Sequence, residues 1–569
     1  MTVRQRSAST LISGKHRAEL VADPTLGAGN FFHRIATSPD RVVDQPIVWT
    51  DRPWHSPWGD TYEQFSLLEL KRVSDWYAGW YSRLGVRPRD PVAVFTHSAV
   101  DLLASYVALT GLGAIAVLIN GSLPPEIVAD YVRRIGVTGF VTDGERYDAI
   151  RPLVEKDGFF LRSIHPLPAH EGGEPPRGYP YVHTEKDPVL ITHSSGTTGV
   201  PKAVLMQHGN FFHAVRYRLG MPVPYGSERI LSSLPGSHNS AITMCMFALL
   251  HGIPIKLMST QHADAVLREI ETFKPSLVAG FSKTFADLSE KELSAYDLSS
   301  MRMWWNSGDA AHESYIRKLL AVGSHPTVDR EGTRLVPGSA FTDGLGSSEM
   351  GHSLFYNVHR TETARFGRCV GQPFKFVEAV VLSEEGQPLP PLQVGRLGVK
   401  SPTITSGYWN DSLLTWRSHL AGYWLTGDLV YRDEEGWFYH VDRLTDAIQT
   451  EAGMVYSLQV EELLMAAHPE LVDCTVIGVP SEDKARTEAY AFLQMRTEDA
   501  VDPAEWLRRV NGTLSQRKLL PLAKVIQVHK GELPVGVTGK VKKRELRARC
   551  QEFLARARPP TRPAVAATA

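Results

Sequence analysis

Ser194-Ser195-Gly196-Thr197-Thr198-Gly199-Val200-Pro201-Lys202 packs four hydroxyls, two glycines and a lysine into nine residues. An apolar run, Pro188-Val-Leu-Ile-Thr192, precedes it, and another, Ala203-Val-Leu-Met206, follows. Both runs are short and partly β-branched, so each reads as a strand. The glycines let the backbone turn and expose its N–H groups. Hydroxyls and N–H groups beside a cation make a cradle for phosphate. The spacing is not that of the Walker loop, because Lys202 stands three residues after Gly199 and a strand follows it. A Ser/Thr/Gly-rich hairpin turn has the same composition, so the stretch alone leaves both readings open.

The rest of the chain has the proportions of a large globular enzyme. Its 569 residues exceed what one hydrophobic core organises, so two or more domains are expected. A net charge of −1 leaves no electrostatic footprint for nucleic acid. Cys245, Cys369, Cys474 and Cys550 are far apart and fit no metal or disulfide pattern, which suits a reducing, cytoplasmic setting. The polar, basic N-terminus lacks a signal-peptide core. The longest apolar region, Val92 to Ile119, is interrupted by His97, Ser98 and Asp101. It reads as strand Val92–Phe95, helix Val100–Thr110 and strand Ala114–Leu118 rather than as a membrane span.

Strand and helix patterns alternate as far as Phe341, which predicts largely parallel α/β sheets. Leu70–Leu84 has helical spacing, Ile135–Thr142 reads as a buried strand, and Ala241–His251 reads as a helix before a strand at Ile253–Leu257. Ser163 to Pro188, rich in Pro, Gly and His, reads as an exposed connection. From Phe366 to His440, short β-rich runs separated by Gly, Pro and Asn predict a small barrel or antiparallel sheet. Helix Gln459–Ala467 and strand Cys474–Gly478 then predict a second, smaller domain. The Pro/Ala-rich tail is expected to be disordered.

Further motifs give the opening loop its company: Asp343-Gly-Leu-Gly-Ser-Ser-Glu-Met-Gly351, Gly395-Arg-Leu-Gly398, Ser406-Gly-Tyr-Trp-Asn410, Trp424-Leu-Thr-Gly-Asp428, Asp442-Arg443 and Pro534-Val-Gly-Val-Thr-Gly-Lys540. In this order and spacing they resemble the adenylate-forming superfamily of acyl- and aryl-CoA synthetases, peptide-synthetase adenylation domains and luciferases. In motif the chain is most similar to benzoate-type and fatty-acid CoA ligases. The resemblance covers roughly residues 30–550. It implies an α/β fold: a large N-terminal domain of stacked α/β sheets with a small β-barrel-like region, and a smaller mobile C-terminal α+β domain. The corresponding divisions are an extension at 1–29, an adenylation domain at 30–441, a lid domain at 442–557 and a tail at 558–569.

The resemblance also implies a chemistry. A carboxylate attacks the α-phosphate of ATP, pyrophosphate leaves, and an acyl-adenylate remains. Catalysis of such a step comes from positioning and electrostatic stabilisation. Ser194, Ser195, Gly196, Thr197, Thr198, Gly199 and Lys202 would hold the outer phosphates. Ser348 would contact the α-phosphate, and Glu349 would hold Mg²⁺, which prefers oxygen ligands. Asp428 would accept from the ribose hydroxyls, with Arg443 beside it. Lys540 would bridge the attacking group and the α-phosphate. His238 is the candidate beside the carboxylate. Ser307, Gly308, Asp309, Asp343, Gly344 and Leu345 would border the adenine and the acyl group. Met244, Met246 and Phe247 could line an apolar pocket, although their helical spacing suits core equally. Lys542, Lys543 and Arg544 have no motif counterpart and read as solvated charge.

Three positions depart from the family pattern. Leu345 replaces the usual adenine-stacking aromatic, Thr445 stands where the hinge has Asp or Lys, with Asp446 next, and Ala452-Gly453 replaces a Gly-Gly pair that lets pantetheine approach. The implied activity is an AMP-forming ligase with ATP, Mg²⁺ and, as second-step acceptor, CoA. The implied partners are a small carboxylic acid, aromatic by analogy, and a second copy of the chain, with neither nucleic acid nor a membrane span. The departures keep a carrier-protein thiol, an amine or nitrite open as acceptor, the last as in ATP-dependent diazotases. A non-catalytic nucleotide-binding homologue is the remaining alternative.

Overall fold

The computed structural model describes residues 10–155, 164–167, 172–194, 201–221, 229–308, 311–329, 332–363, 365–481, 486–497, 499–536 and 540–556. The tail expected to be disordered lies outside them. Two sheets carry the large N-terminal domain. The first has the order Ile164–Leu167, Gly139–Asp143, Pro91–Thr96, Ile115–Asn120, Pro188–Ser194, Lys202–Gln207. Its pairs are parallel except the last, which is a hairpin. Parallel strands covered on both faces read as continuous apolar runs, and Pro91–Thr96 and Ile115–Asn120 are buried at every position.

In the second sheet, strand Pro46–His55 continues in parallel through Ile255–Leu257, Ile230–Ser232, Leu277–Phe281, Met303–Ser307 and Ala340–Asp343. Beyond Asp343 the pairing turns antiparallel, through Phe355–His359 and Cys369–Pro373 to Phe438–Arg443, Tyr423–Arg432, Gly395–Lys400 and Glu378–Leu382. Helices connect the parallel strands from Ile230–Ser232 to Met303–Ser307, whereas loops and turns join the antiparallel part, with one short helix, Ser412–Arg417, before Tyr423–Arg432. This is the change of pattern read from Phe366 onward. Helix Ala99–Gly111 is buried from Val100 to its end and touches strands of both sheets. A helix apolar all round belongs in such a place. Its one buried acid, Asp101, accepts from the Tyr77 hydroxyl at 2.6 Å and Trp54 Nε1 at 2.9 Å.

Two expectations are corrected. Ile135 does not begin a strand; it ends helix Pro125–Ile135, and Gly136 closes that helix in the left-handed region at φ 73°. The strand starts at Gly139. The connection before Pro188 is not simply exposed either. It contains strand Ile164–Leu167, and His183 and Asp187 are buried, His183 Nε2 lying 2.9 Å from the Thr110 carbonyl and Asp187 accepting from Thr184 N at 2.7 Å. Polar composition suggested exposure, but Asp187 and one ring nitrogen of His183 find hydrogen-bond partners in the interior.

The smaller C-terminal domain has a three-stranded sheet, Leu471–Pro480, Thr487–Met495 and Lys524–Val528. Alternation sends Cys474 and Val476 to one face, with helices Ser457–Ala467 and Pro503–Gln516, and Ile477 and Val479 to the other, with helix Lys543–Arg556. All four cysteines are free and buried. Among the described residues no helix is long and apolar enough to cross a membrane.

Buried histidines give the fold an acid sensitivity. Burial holds His33, His208, His251 and His359 at about 4. An unfolded histidine titrates near ~6.5. Between these values the unfolded chain binds more protons, so their contribution is complete above ~6.5 and is lost as pH falls towards 4. The thermal midpoint is expected to drop on acidification from about pH 7 to about pH 5. In His359→Phe the loss of unfolding free energy over this range is expected to be shallower, by at most about 1.4 kcal/mol per pH unit. A midpoint that stays level over this range would contradict the reading.

Candidate active site

Ligands of open α/β sheets bind beyond the carboxyl ends of the parallel strands, and the sequence-predicted residues gather there. Ile230–Ser232 leads into Leu234-Pro-Gly-Ser-His238, Met303–Ser307 into Gly308, and Ala340–Asp343 into Gly344 and Leu345. Ser307 Oγ lies 2.9 Å from Ser240 Oγ. Gly308 has φ 86°, and a Cβ there would come 2.8 Å from the Phe281 ring. Asp343 accepts from Asn306 Nδ2 at 3.0 Å, Ala311 N at 3.1 Å and Gly344 N at 2.8 Å. Burial nevertheless pushes its carboxyl above the usual value. A Cβ on Gly344 would lie 2.2 Å from the Phe355 carbonyl, so only glycine fits. Leu345 is buried, and its carbonyl accepts from Leu354 N at 2.9 Å. Asp309 lies outside the described residues.

The described end of the hairpin of the first sheet carries Ser194 and Lys202. Ser194 pairs with Lys202 across it; Ser195, Gly196, Thr197, Thr198 and Gly199 lie outside the described residues. Lys202 Nζ stands 5.3 Å from the centre of the Tyr408 ring. The Tyr408 hydroxyl donates to Glu349 Oε1 at 2.9 Å. Burial and the Glu349 charge push the Tyr408 phenol up, so it remains a donor. Ser348 and Glu349 are buried, and the Glu349 carbonyl accepts from Thr405 N at 2.8 Å. Three distant segments thus set one carboxylate near one ammonium.

In the antiparallel region Asp428 pairs in register with Arg443. Arg443 Nη1 and His440 Nε2 each lie 3.3 Å from Asp428 Oδ1. Burial works against the charge of Asp428, but Arg443 and His440 more than offset it and hold the carboxyl below its usual range. Arg368 Nη2 lies 3.3 Å from His440 Nδ1. A guanidinium only donates, so Nδ1 accepts and Nε2 carries the proton towards Asp428. Asp428 Oδ1 is buried and has no hydrogen bond of good geometry.

His238 is the N-cap of helix Asn239–His251, accepting from Ser240 N at 3.2 Å, and its ring meets Phe281 edge-on at 5.0 Å. Burial pushes it down to about 3, assisted by the fields of His193 and Lys540. Lys540, from the smaller domain, is therefore close enough to act on a residue at the strand ends of the larger one. The two domains also meet where Glu462 pairs with His312 and accepts from Glu313 N at 3.2 Å, and where Arg496 pairs with Glu290. Past Arg443, Asp446 pairs with Arg547 at 3.2 Å, and Gly453 turns at φ 131°.

Sequence reasoning missed several members of this arrangement. Tyr408 lies within a motif that assigns it no role, and His440, Arg368 and His193 carry no motif signal. Lys543, read as solvated charge, is buried: its side chain is 11% exposed and pairs with Glu461 at 2.8 Å. Burial opposes its charge, but Glu461, Asp442 and Asp446 more than offset it and hold Lys543 above the usual lysine value. Lys542 and Arg544 are exposed as expected. Met244 and Met246 are packed in the core, and Phe247 packs against it.

The family described as AMP-binding enzyme matches residues 31–409. The chain belongs to this family. It is an adenylate-forming enzyme of α/β fold. A 3-aminoavenalumate diazotase of a Streptomyces species is 45% identical over 555 residues, 95% of this chain and 98% of that protein. A 2-succinylbenzoate–CoA ligase of Bacillus mycoides is 25% identical over 478 residues, 83% and 91% of the two chains. Among solved structures, an anthranilate CoA ligase in complex with anthranoyl-AMP superposes with a TM-score of 0.79 at 21% identity, covering 96% of this chain and 100% of that one. The O-succinylbenzoate coenzyme A synthetase of Bacillus subtilis, in complex with ATP and magnesium ion, gives 0.74 at 20% identity, covering 91% and 99%. At those identities the two structures speak for the fold.

The residues present fit a magnesium-bound nucleotide. Glu349 offers a carboxylate near Lys202, and Asp428 Oδ1 is a buried acceptor in need of donors, which ribose hydroxyls would supply. Asp428→Ala is expected to weaken ATP binding by ~1.5–3 kcal/mol, as for a charged hydrogen bond. Equilibrium titration of the folded variant measures this, and unaltered affinity would remove the ribose assignment.

Proposed function

We propose that this enzyme is an ATP-dependent diazotase that activates nitrite and couples it to the amino group of an aromatic acid. The observation that carries this reading is the 45% identity with a 3-aminoavenalumate diazotase across 95% of this chain. Thr445 at the hinge position and Ala452 beside Gly453, the two departures from the CoA-ligase pattern at the second-step end, agree with it.

In the first step a nitrite oxygen attacks the α-phosphorus of ATP. An O–P bond forms, and pyrophosphate leaves with the electrons of the bond that breaks. In the second step the amine nitrogen attacks the nitrosyl nitrogen, AMP leaves with the N–O electrons, and the amine gives up a proton. The resulting nitrosamine tautomerises to a diazohydroxide. Protonation of its oxygen and loss of water leave the diazonium group.

The residues at the strand ends serve the first step. Ser194, Ser195, Gly196, Thr197, Thr198, Gly199 and Lys202 hold the outer phosphates. Asp428 and Arg443 grip the ribose, while Ser307, Gly308, Asp309, Asp343, Gly344 and Leu345 border the base. Ser348 donates to the α-phosphate, and Glu349 holds Mg²⁺. When bound, Mg²⁺ offsets phosphate charge. Lys540 neutralises the charge that develops between the attacking oxygen and phosphorus. His238, held neutral, leaves room for an anion without binding it as a counter-ion.

Thioester formation with CoA is the second reading, supported by the likeness to 2-succinylbenzoate–CoA ligase over 83% of the chain. One incubation separates them: enzyme, ATP, an amino-aromatic acid panel, and either ¹⁵N-nitrite or CoA, read by mass spectrometry. AMP release that requires nitrite, with ¹⁵N in the diazo product, is expected. Acyl-CoA formed without nitrite would overturn the diazotase reading in favour of the ligase. In a separate measurement, Lys540→Ala is expected to lower pyrophosphate release to a small, still measurable residual rate while ATP affinity stays nearly unchanged. Undiminished release would sink the role given to Lys540.

A further inference from the structure

Lys543 stands three residues beyond Lys540 and begins helix Lys543–Arg556. Its ammonium donates to Ser457 Oγ at 2.6 Å and to Glu461 Oε1 at 2.8 Å. Ser457 Oγ in turn donates to Asp442 Oδ1 at 3.0 Å, and Ser457 N donates to Asp442 Oδ2. Glu461 Oε1 also accepts from Val476 N at 2.7 Å, which fixes it to the sheet. Asp442 is fully buried and immediately precedes Arg443, the partner of Asp428. On the other side of Lys543, Gly536 N donates to the Lys540 carbonyl at 2.7 Å and Lys542 N to the Pro534 carbonyl at 2.7 Å, closing the segment around Lys540 at its base.

Two functional ends of the site therefore meet in one buried ionic cluster. One leads to Arg443, the other to Lys540. An apolar side chain of the same volume often stabilises a fold as well as a buried ion pair does, whereas the ion pair adds a fixed direction. Resting on the adenylating role assigned above to Lys540, we propose that Lys543 is a positioning residue: it anchors the base of the Lys540 segment to Asp442, through Ser457, so that Lys540 and Arg443 are held in fixed relation during adenylation. Lys543 itself touches no substrate.

The test is a double-mutant cycle in the full chain, read by the adenylation rate. Lys543→Met is expected to lower kcat about 10–100-fold, the effect of misplacing a catalytic group by an ångström, with KM for ATP changed by less than about twofold. Lys543→Arg is expected to restore most of the rate. In the Lys540→Ala background, Lys543→Met is expected to cost nothing further, because the residue acts through Lys540. Should Lys543→Met not fold, Ser457→Ala, which removes only the bridging hydroxyl, carries the same expectations. A wild-type kcat in the folded variant, or losses that multiply in the Lys540→Ala background, would overturn the inference while leaving the role of Lys540 intact. A wild-type rate in Lys540→Ala alone would overturn that role and the inference with it.

Discussion

A carboxylate taken out of water must be paired, and Asp428 is the buried carboxylate around which this molecule is arranged. The pairing of Tyr423–Arg432 with Phe438–Arg443 sets Arg443 opposite it, and His440, oriented by Arg368, completes its surroundings. The same strand then leaves the large domain, so the chain enters the small domain directly from the charge pair. The first residues of the smaller domain therefore follow directly on the partner of Asp428. Asp442, one residue before Arg443, carries the connection onward by capping helix Ser457–Ala467.

The architecture explains why the site is open at one edge and built from so many segments. Parallel strands all point their carboxyl ends the same way, so Ser307, Asp343 and the turn to His238 arrive together. The hairpin of the other sheet supplies Lys202, the antiparallel region supplies Tyr408 and Asp428, and the small domain supplies Lys540. None of these neighbours is near in sequence, and each is held by backbone pairing rather than by loops alone. A reaction whose barrier is lowered by charge placement suits a scaffold that fixes charges on rigid elements.

Much of this was legible before the structure. The apolar runs Val92–Phe95 and Ala114–Leu118 became buried parallel strands because only a two-sided environment tolerates such runs. Gly344 was marked only by its motif, and the structure adds the reason for a glycine there: a carbonyl lies where a side chain would be. The expectation at Ile135 failed because Gly136 can end a helix as readily as interrupt a strand. Lys543 was misread for a different reason. A basic run looks solvated in sequence, and nothing in it tells that Lys543 faces Glu461 from another helix and Asp442 from another strand. Tyr408, His440 and Arg368 likewise gain their meaning only from the carboxylates they face.

The sequence by itself determined the element types, the order of the motifs and the membership in a nucleotide-activating family, because periodicity, turn chemistry and short spacings are local properties of a chain. The tertiary structure decided which charges are buried, which partners hold them and that Lys540 of the smaller domain contributes to the field at His238. Those outcomes depend on the removal of water and on contacts between segments hundreds of residues apart, and electrostatic interactions of that kind exist only once the fold has closed around them.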